Sequence, residues 1–373
     1  MNLITPNHLA LWPEEGQALP GHFYVNEQFY ELERRGLFTD DWFFVAPVGE
    51  VGKPGDYSSI DIAGEPLLVT HAKDGVIRVL SRVCRHRHFN VIEGRGNKNS
   101  FTCPYHSWTY KSDGILIGAP MMDQVPSFDK KKCGLPSIKT EIWNGLIFCT
   151  FAADPQPLED QLKKLGQRLD PYRLGEWEAE LVFNEAIDCN WKVVVENASE
   201  SYHHIGAHKD SLEAFTPAKN VRMGETGSRF STHHLWPVNL EPGVELSGTR
   251  ETGILRIPET EASVGGTTTI FPNMIIAVSA EGALLAGVFP QAHDNTVFRL
   301  WTLRHPSMPV ERYKQRAGKL SAREFLEKFN GEDLVIVQGL QKALKSRFAD
   351  GGTFHTTEVG LTAFYDFIKG RVF

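Results

Sequence analysis

Two short segments of the chain pair a thiol with an imidazole: Cys84-Arg85-His86 and, sixteen residues further on, Cys103-Pro104-Tyr105-His106. Each offers one thiolate and one imidazole from a tight loop, so four ligands converge if the loops face each other. Two buried cysteines and two surface histidines would be the plainer reading, and the paired spacing weakens it. Structural zinc is the serious competitor, but zinc motifs pair Cys with Cys and His with His at about two to five residues. One of each per loop suits a [2Fe–2S] cluster with thiolates on one iron and imidazoles on the other. Neutral imidazoles add no negative charge, so such a cluster is easier to reduce than an all-cysteine one.

A second constellation lies in Glu196-Asn197-Ala198-Ser199-Glu200-Ser201-Tyr202-His203-His204, followed by His208. Asn197, Glu200 and His203 recur every third residue and would share one face of a helix. On an ideal helix His208 would point about 140° away from His203, so the helix must end or distort across Ile205-Gly206-Ala207. Two imidazoles and one distant carboxylate would make a facial triad with open positions, the non-haem Fe(II) arrangement. Asp333, at the start of a helix read over Glu332–Gln341, is the candidate carboxylate. An Asp favoured in a first helical turn by the helix dipole is the plainer account of that residue. His204 competes with His203 as first ligand, but only His203 shares a face with Glu200.

The elements that must position these residues differ along the chain. Asn26 reads as an N-cap, with Phe29 and Leu32 on a helical stripe and Gly36 as its stop. From about residue 40 the period becomes two. Tyr57–Ile62, Pro66–His71 and Val76–Val83 are strand-like, and Trp108–Lys111 with Ile115–Ile117 flank a Ser-Asp-Gly turn. Leu146–Phe151 is a short buried strand. Beyond it, Leu158–Leu169 is an amphipathic helix, Leu181–Asp188 a strand, and a helix runs from Trp191 to about His203. Residues 217–268 read as long loops and hairpins. Thr267–Ala280, Ala283–Val288 and Thr296–Leu303 alternate as three antiparallel strands. A Ser321–Glu324 capping box opens a helical region through Asp333 to about Ser346. The fold expected is α+β: a β-rich domain over 40–153, and an α+β domain of 1–39 with 154–373 whose antiparallel sheet is flanked by helices.

Composition narrows the rest. Thirty-nine Lys and Arg against 46 Asp and Glu give a net charge of −7, with no basic run for nucleic acid or an anionic membrane. No apolar stretch approaches about 18 residues, so none should span a bilayer. Glu14 and Glu15 stand where a signal peptide would be basic, then apolar, so none is expected. Five cysteines cannot scaffold a chain of 373 residues, and a reducing cytoplasm is expected. No Gly-x-Gly-x-x-Gly follows a strand, so electrons must come from elsewhere.

These segments resemble the Rieske non-haem iron oxygenases, specifically the terminal, alpha-type oxygenase subunit. The family's Cys-x-His and Cys-x-x-His pairs are matched by Cys84, His86, Cys103 and His106. Its Asn-Trp-Lys, its Asn-x-x-Glu/Asp-x-Tyr-His-x4-His and its late Asp with Gln eight residues on are matched by Asn190-Trp191-Lys192, Asn197, Glu200, Tyr202, His203, His208, Asp333 and Gln341. The resemblance covers nearly the whole chain from Asn26. It implies a Rieske [2Fe–2S] cluster on Cys84, His86, Cys103 and His106, which puts His86 rather than nearby His88 in the ligand set. It also implies a mononuclear Fe(II) on His203, His208 and Asp333, with Asn197 in the site. In the family's homotrimer, His106 of the partner subunit would meet Glu200, and Glu200 would meet His203, giving electrons a short bonded path. O₂ and a small organic substrate would react at that iron. Electrons would come from a separate NAD(P)H-dependent flavin and iron–sulfur reductase, with or without a ferredoxin between. His88-Phe89, Ser201 and Lys209 depart from commoner family choices. Glu rather than Asp at 200 leans towards the quaternary-ammonium hydroxylating or demethylating branch, whose aromatic cage could draw on Phe215, Phe230, Trp236 and Phe271. An aromatic-ring hydroxylating oxygenase is the alternative. An iron–sulfur electron-transfer or zinc-binding module without oxygen chemistry is the alternative of another class.

Overall fold

The computed structural model describes residues 6–244, 246–251, 255–279, 282–309 and 322–373. Apolar residues at helical spacing explain the first long helices. Helix α1 (Glu27–Phe38) opens on Asn26, whose side chain accepts from the Phe29 N–H, and α2 (Leu158–Leu169) buries Leu158, Leu162, Leu165 and Leu169. Gly36 does not stop α1, contrary to expectation. A Cβ there would come within 2.3 Å of the Arg371 carbonyl oxygen, so the glycine lets the C-terminal helix α5 (Gly360–Val372) approach closely.

Strands β1 (Phe43–Pro47), β2 (Asp56–Ile62), β3 (Glu65–His71), β4 (Ile77–Ser81) and β5 (Arg95–Asn97) enter one sheet with β9 (Ser137–Trp143) and β10 (Leu146–Thr150), in the order β1-β10-β9-β4-β3-β2-β5. A smaller sheet of β6 (Ser100–Thr102), β7 (Thr109–Lys111) and β8 (Leu116–Gly118) stands beside it. It packs over a separate core of Tyr57, Leu68, Leu80, Cys84, Phe101, Cys103, Trp108 and Tyr110. The two Cys-His loops, one closed by a Val83–Asn90 bridge and the other joining β6 to β7, are therefore anchored by their own apolar cluster.

The second large sheet is antiparallel, in the order β11-β19-β18-β17-β16-β13-β12. Its members are β11 (Glu178–Ile187), β12 (Val221–Gly227), β13 (Phe230–Leu235), β16 (Gly265–Ile270), β17 (Met274–Ser279), β18 (Gly282–Ala292) and β19 (Asn295–Arg304). A small hairpin, β14 (Thr249–Glu251) and β15 (Arg256–Pro258), interrupts the run. Two expectations change here. The segment 217–268 supplies β12, β13 and the start of β16, because β13 pairs with a strand on each side and its run Phe230–His233 is buried between them. Thr267–Ala280 is two strands, since Phe271-Pro272-Asn273 turns the chain and proline cannot donate to a ladder.

Helix α3 (Trp191–Ala198) crosses this sheet beside α4 (Ala322–Ala343). The Asn190 side chain caps α3 by accepting from the Lys192 N–H at 3.0 Å and donates to the carbonyls of Tyr24 and His293. Lys192 and Glu33 are both fully buried and paired at 2.6 Å, and the Trp191 indole donates to the other Glu33 oxygen at 3.1 Å. Burial drives the Glu33 carboxyl up and the Lys192 amine down, and each is held against that by the other. The expected capping serine, Ser321, lies outside the described residues. Asp333 sits mid-helix in α4 rather than at a helix start, so the helix dipole does not account for it.

Lys192→Met should lower unfolding free energy by about 3–5 kcal/mol, because it strands a buried carboxylate. Adding Glu33→Leu should recover most of that loss in chemical denaturation. A double variant as unstable as the single would mean that the pair is not what stabilises α3.

Candidate metal centres

The two Cys-His loops fold alike. In the first, Cys84 N–H donates to the Phe89 carbonyl and the His88 N–H returns to the Cys84 carbonyl; in the second, Cys103 donates to Trp108 and Ser107 returns to Cys103. Each loop closes on a residue in the left-handed region, His88 at φ 59° and Ser107 at φ 59°. This explains the departure at His88: the position favours a small or locally hydrogen-bonding residue, and histidine is among the side chains that tolerate it. His88 takes the place of Ser107, not of a ligand.

Cys84 and Cys103 are buried side by side, and burial first, then the neighbouring Cys84, pushes the Cys103 thiol up. The Cys84 sulfur lies 3.3 Å from the Tyr110 hydroxyl, whose oxygen also accepts from the Arg85 N–H. The His86 and His106 rings are 4.5 Å apart at 78°, and Trp108 stacks on His86 at 4.9 Å and 11°. His86 Nδ1 is buried with no hydrogen-bond partner. A buried imidazole nitrogen without a partner is costly unless it ligates something. The sulfur pair and the imidazole pair that these two loops carry fit a [2Fe–2S] cluster.

At the second constellation the helix ends earlier than its spacing predicts. Ser199 Oγ turns back to the Val195 carbonyl at 2.5 Å, α3 stops at Ala198, and His203 lies in a separate 3₁₀ turn, Tyr202–Ile205. Glu200 caps that turn by accepting from the N–H groups of Tyr202 and His203. Glu200 and His203 therefore meet through the cap rather than along a shared helix face: Glu200 Oε1 is 2.5 Å from His203 Nδ1. His208 Nδ1 is 2.8 Å from Glu332 Oε2, which also accepts from Ser211 Oγ at 2.5 Å.

Each histidine thus leaves Nε2 outside these carboxylate contacts, and both nitrogens face Asp333. His208 Nε2 is 3.0 Å and His203 Nε2 3.6 Å from Asp333 Oδ1, and Asn197 Nδ2 donates to the same oxygen at 2.8 Å. Metal–ligand bonds of about 2.1 Å meeting near 90° put donors about 3 Å apart, so the two nitrogen–oxygen spacings fit a facial triad. Burial works against protonating His208, but Asp333 and Glu332 more than offset it and raise its pKa. His204 is buried, its pKa lowered to about 3 by burial and then by His203 and His208. Spacing alone did not reveal Glu332, Ser211 or Tyr110. The adjacent acids Glu332-Asp333 were the available signal, one carboxylate for each task. Two cage candidates prove to be core: Phe271 packs on Phe364 and Phe367, and Phe230 lies in the main apolar cluster; Phe215 is 63% exposed.

A sequence model of the Rieske [2Fe-2S] domain matches residues 41–129. One of the ring hydroxylating alpha subunit (catalytic domain) matches residues 169–372, more than half of the chain. The chain belongs to the ring-hydroxylating alpha subunit family. It is 34% identical over 206 residues to the carnitine monooxygenase oxygenase subunit of Acinetobacter pittii, covering 54% of this chain and 56% of that protein. It is 33% identical over 198 residues to the glycine betaine monooxygenase oxygenase subunit of Chromohalobacter salexigens, covering 53% and 44%. The matched part spans about half the length of these relatives. A crystal structure of a quaternary ammonium Rieske monooxygenase with L-carnitine has the same fold, with a TM-score of 0.77, 24% identity and 96% of each chain covered.

If Glu332 fixes the His208 ring, Glu332→Ala should weaken Fe(II) or Co(II) retention by about 10–100-fold while the visible absorption of the cluster is kept. Unchanged retention in metal analysis after dialysis would reduce Glu332 to a surface acid.

Proposed function

We propose that this chain is the terminal oxygenase of a multicomponent system, hydroxylating or oxidatively demethylating a quaternary-ammonium compound. The observation that carries the reading is the convergence of His203 Nε2, His208 Nε2 and Asp333 Oδ1 in a chain that also carries the paired Cys-His loops. The named activities of the carnitine and glycine betaine relatives support the substrate class. Residues 40–153 would form the cluster domain, and 1–39 with 154–373 the iron domain. Cys84, His86, Cys103 and His106 would hold the [2Fe–2S] cluster, and His203, His208 and Asp333 the Fe(II). When bound, the cluster supplies single electrons and the iron a site where O₂ is used. NAD(P)H reduction requires a separate flavin and iron–sulfur reductase, with or without a ferredoxin.

The chain's own groups have definite tasks in this reading. Glu200 and Glu332 accept from Nδ1 of His203 and His208, which fixes both tautomers and keeps each Nε2 lone pair free. Asn197 holds the Asp333 carboxylate by its Oδ1. Glu200, a positioning residue, would link His203 to His106 of the partner subunit in a homotrimer. The five cysteines are unpaired, which suits a reducing cytoplasm, and no helix among the described residues is long and apolar enough to cross a membrane.

The deciding experiment is a substrate panel with a surrogate reductase: carnitine, glycine betaine, other trimethylammonium compounds and an aromatic hydrocarbon. Turnover of a trimethylammonium compound is expected, and formaldehyde release separates demethylation from attack at another carbon. Turnover of the hydrocarbon alone would overturn the substrate class. Two inactive variants test the trimer. Co-assembled Cys84→Ala and Asp333→Ala should regain part of the wild-type rate, because an intact cluster then faces an intact iron site. Mixed trimers as inactive as either parent, with the remaining site of each shown to be loaded, would rule out the cross-subunit path.

A further inference from the structure

His204 is the group in this site to which the proposed chemistry gives no task. The His203, His204 and His208 rings form a nearly equilateral triangle, with centroids 4.9, 5.0 and 5.3 Å apart and planes crossing at 89°, 66° and 73°. One donor atom from each lies within 4.8 Å of the other two. We infer that these three imidazoles form a carboxylate-independent metal face, which holds a nitrogen-favouring divalent ion such as Co²⁺ or Zn²⁺ when Asp333 does not ligate. The inference rests on the proposed roles of His203 and His208 as ligands.

Three observations support it. The Nδ1 atoms of His203 and His208 are engaged by Glu200 and Glu332, so both rings are fixed with Nε2 turned to the site. His204 is the least tied of the three: its Nδ1 reaches only the Thr216 carbonyl, at 3.5 Å. Asp333 Oδ1 is shared between Asn197 and the two Nε2 atoms, so the carboxylate and His204 are alternative third donors to one histidine pair. Imidazole suits Zn, Ni, Cu and Fe, whereas carboxylate oxygen suits harder ions, so exchanging Asp333 for His204 shifts which ions are preferred. Three histidines alone are a sufficient protein ligand set for zinc in known enzymes.

The test uses the full-length protein with its cluster intact by visible absorption and the mononuclear site stripped by a chelator. Co²⁺ is titrated by its d–d absorption and counted after desalting. Wild type and Asp333→Ala should each hold one cobalt, the variant about tenfold more weakly. Asp333→Ala/His204→Gln should lose at least about another tenfold. Asp333→Ala/His204→Phe, which keeps ring volume without a donor, should behave the same, so a folding defect in one double variant does not decide the matter. An Asp333→Ala protein that holds no cobalt, or double variants that bind as well as Asp333→Ala, would overturn the inference. His203→Ala separates the two levels: if it binds cobalt as wild type does, the ligand reading itself has failed.

Discussion

Everything at the second centre depends on the spacing of two helices that are distant in sequence, α3 and α4. Amide side chains between the two helices fix that spacing. At one end, the Asn190 N–H donates to Gln341 Oε1 at 2.9 Å; at the other, Asn197 Nδ2 donates to Asp333 Oδ1 at 2.8 Å. Residues 190 and 197 are about two helical turns apart, and so are 333 and 341. The two bonds are therefore rungs between neighbouring helices, and each ends on a position that the motif specifies. Slipping either helix would separate the donor and acceptor of both bonds, so the rungs fix register as well as distance. Lys192, paired with Glu33 from α1, secures α3 from the other side.

That frame accounts for which parts of the sequence were legible. Asn190-Trp191-Lys192 could be matched by resemblance, but its reason appears only in three dimensions: an amide that caps α3 and donates to two distant carbonyls, and an indole and an ammonium that both serve the buried Glu33. The strands from Tyr57 to His71 and the helix Leu158–Leu169 could be read because burial follows their own period. Residues 221–235 could not, because Gly224 and Gly227 and a bulge between Met223 and Thr226 break the alternation inside real strands. Helical spacing was correct about Glu200 meeting His203 and wrong about the cause. A three-residue interval suits a helix face, but it equally suits a carboxylate capping a 3₁₀ turn, and only Ser199 bonding back to Val195 distinguishes them.

The first centre shows the same division. Four ligand types at two short intervals could be read directly, whereas the loop closures could not. Positions 88 and 107 adopt the same left-handed conformation although one is histidine and the other serine. Their shared task is backbone geometry, returning an N–H to a cysteine carbonyl. A histidine placed by backbone need looks the same in sequence as one placed for ligation.

The two histidines of the proposed triad differ in what lies behind them. His208 is buried, and its partner Glu332 is held by Ser211 and flanked by Lys328 on the same helix. His203 is partly exposed, its partner Glu200 caps a surface turn, and the next residue but one, Tyr202, is 43% exposed and stacked on His355 at 4.6 Å. One imidazole is thus buried and the other partly open to solvent, while each is a single hydrogen bond from a carboxylate that is itself partly exposed. A donor outside the subunit could reach the site at the partly exposed His203 ring or through Glu200 without opening the fold, whereas the His208 ring is covered and is approached by way of Glu332 on α4. The polarity of the site follows from which carboxylate caps a surface turn and which sits on a helix.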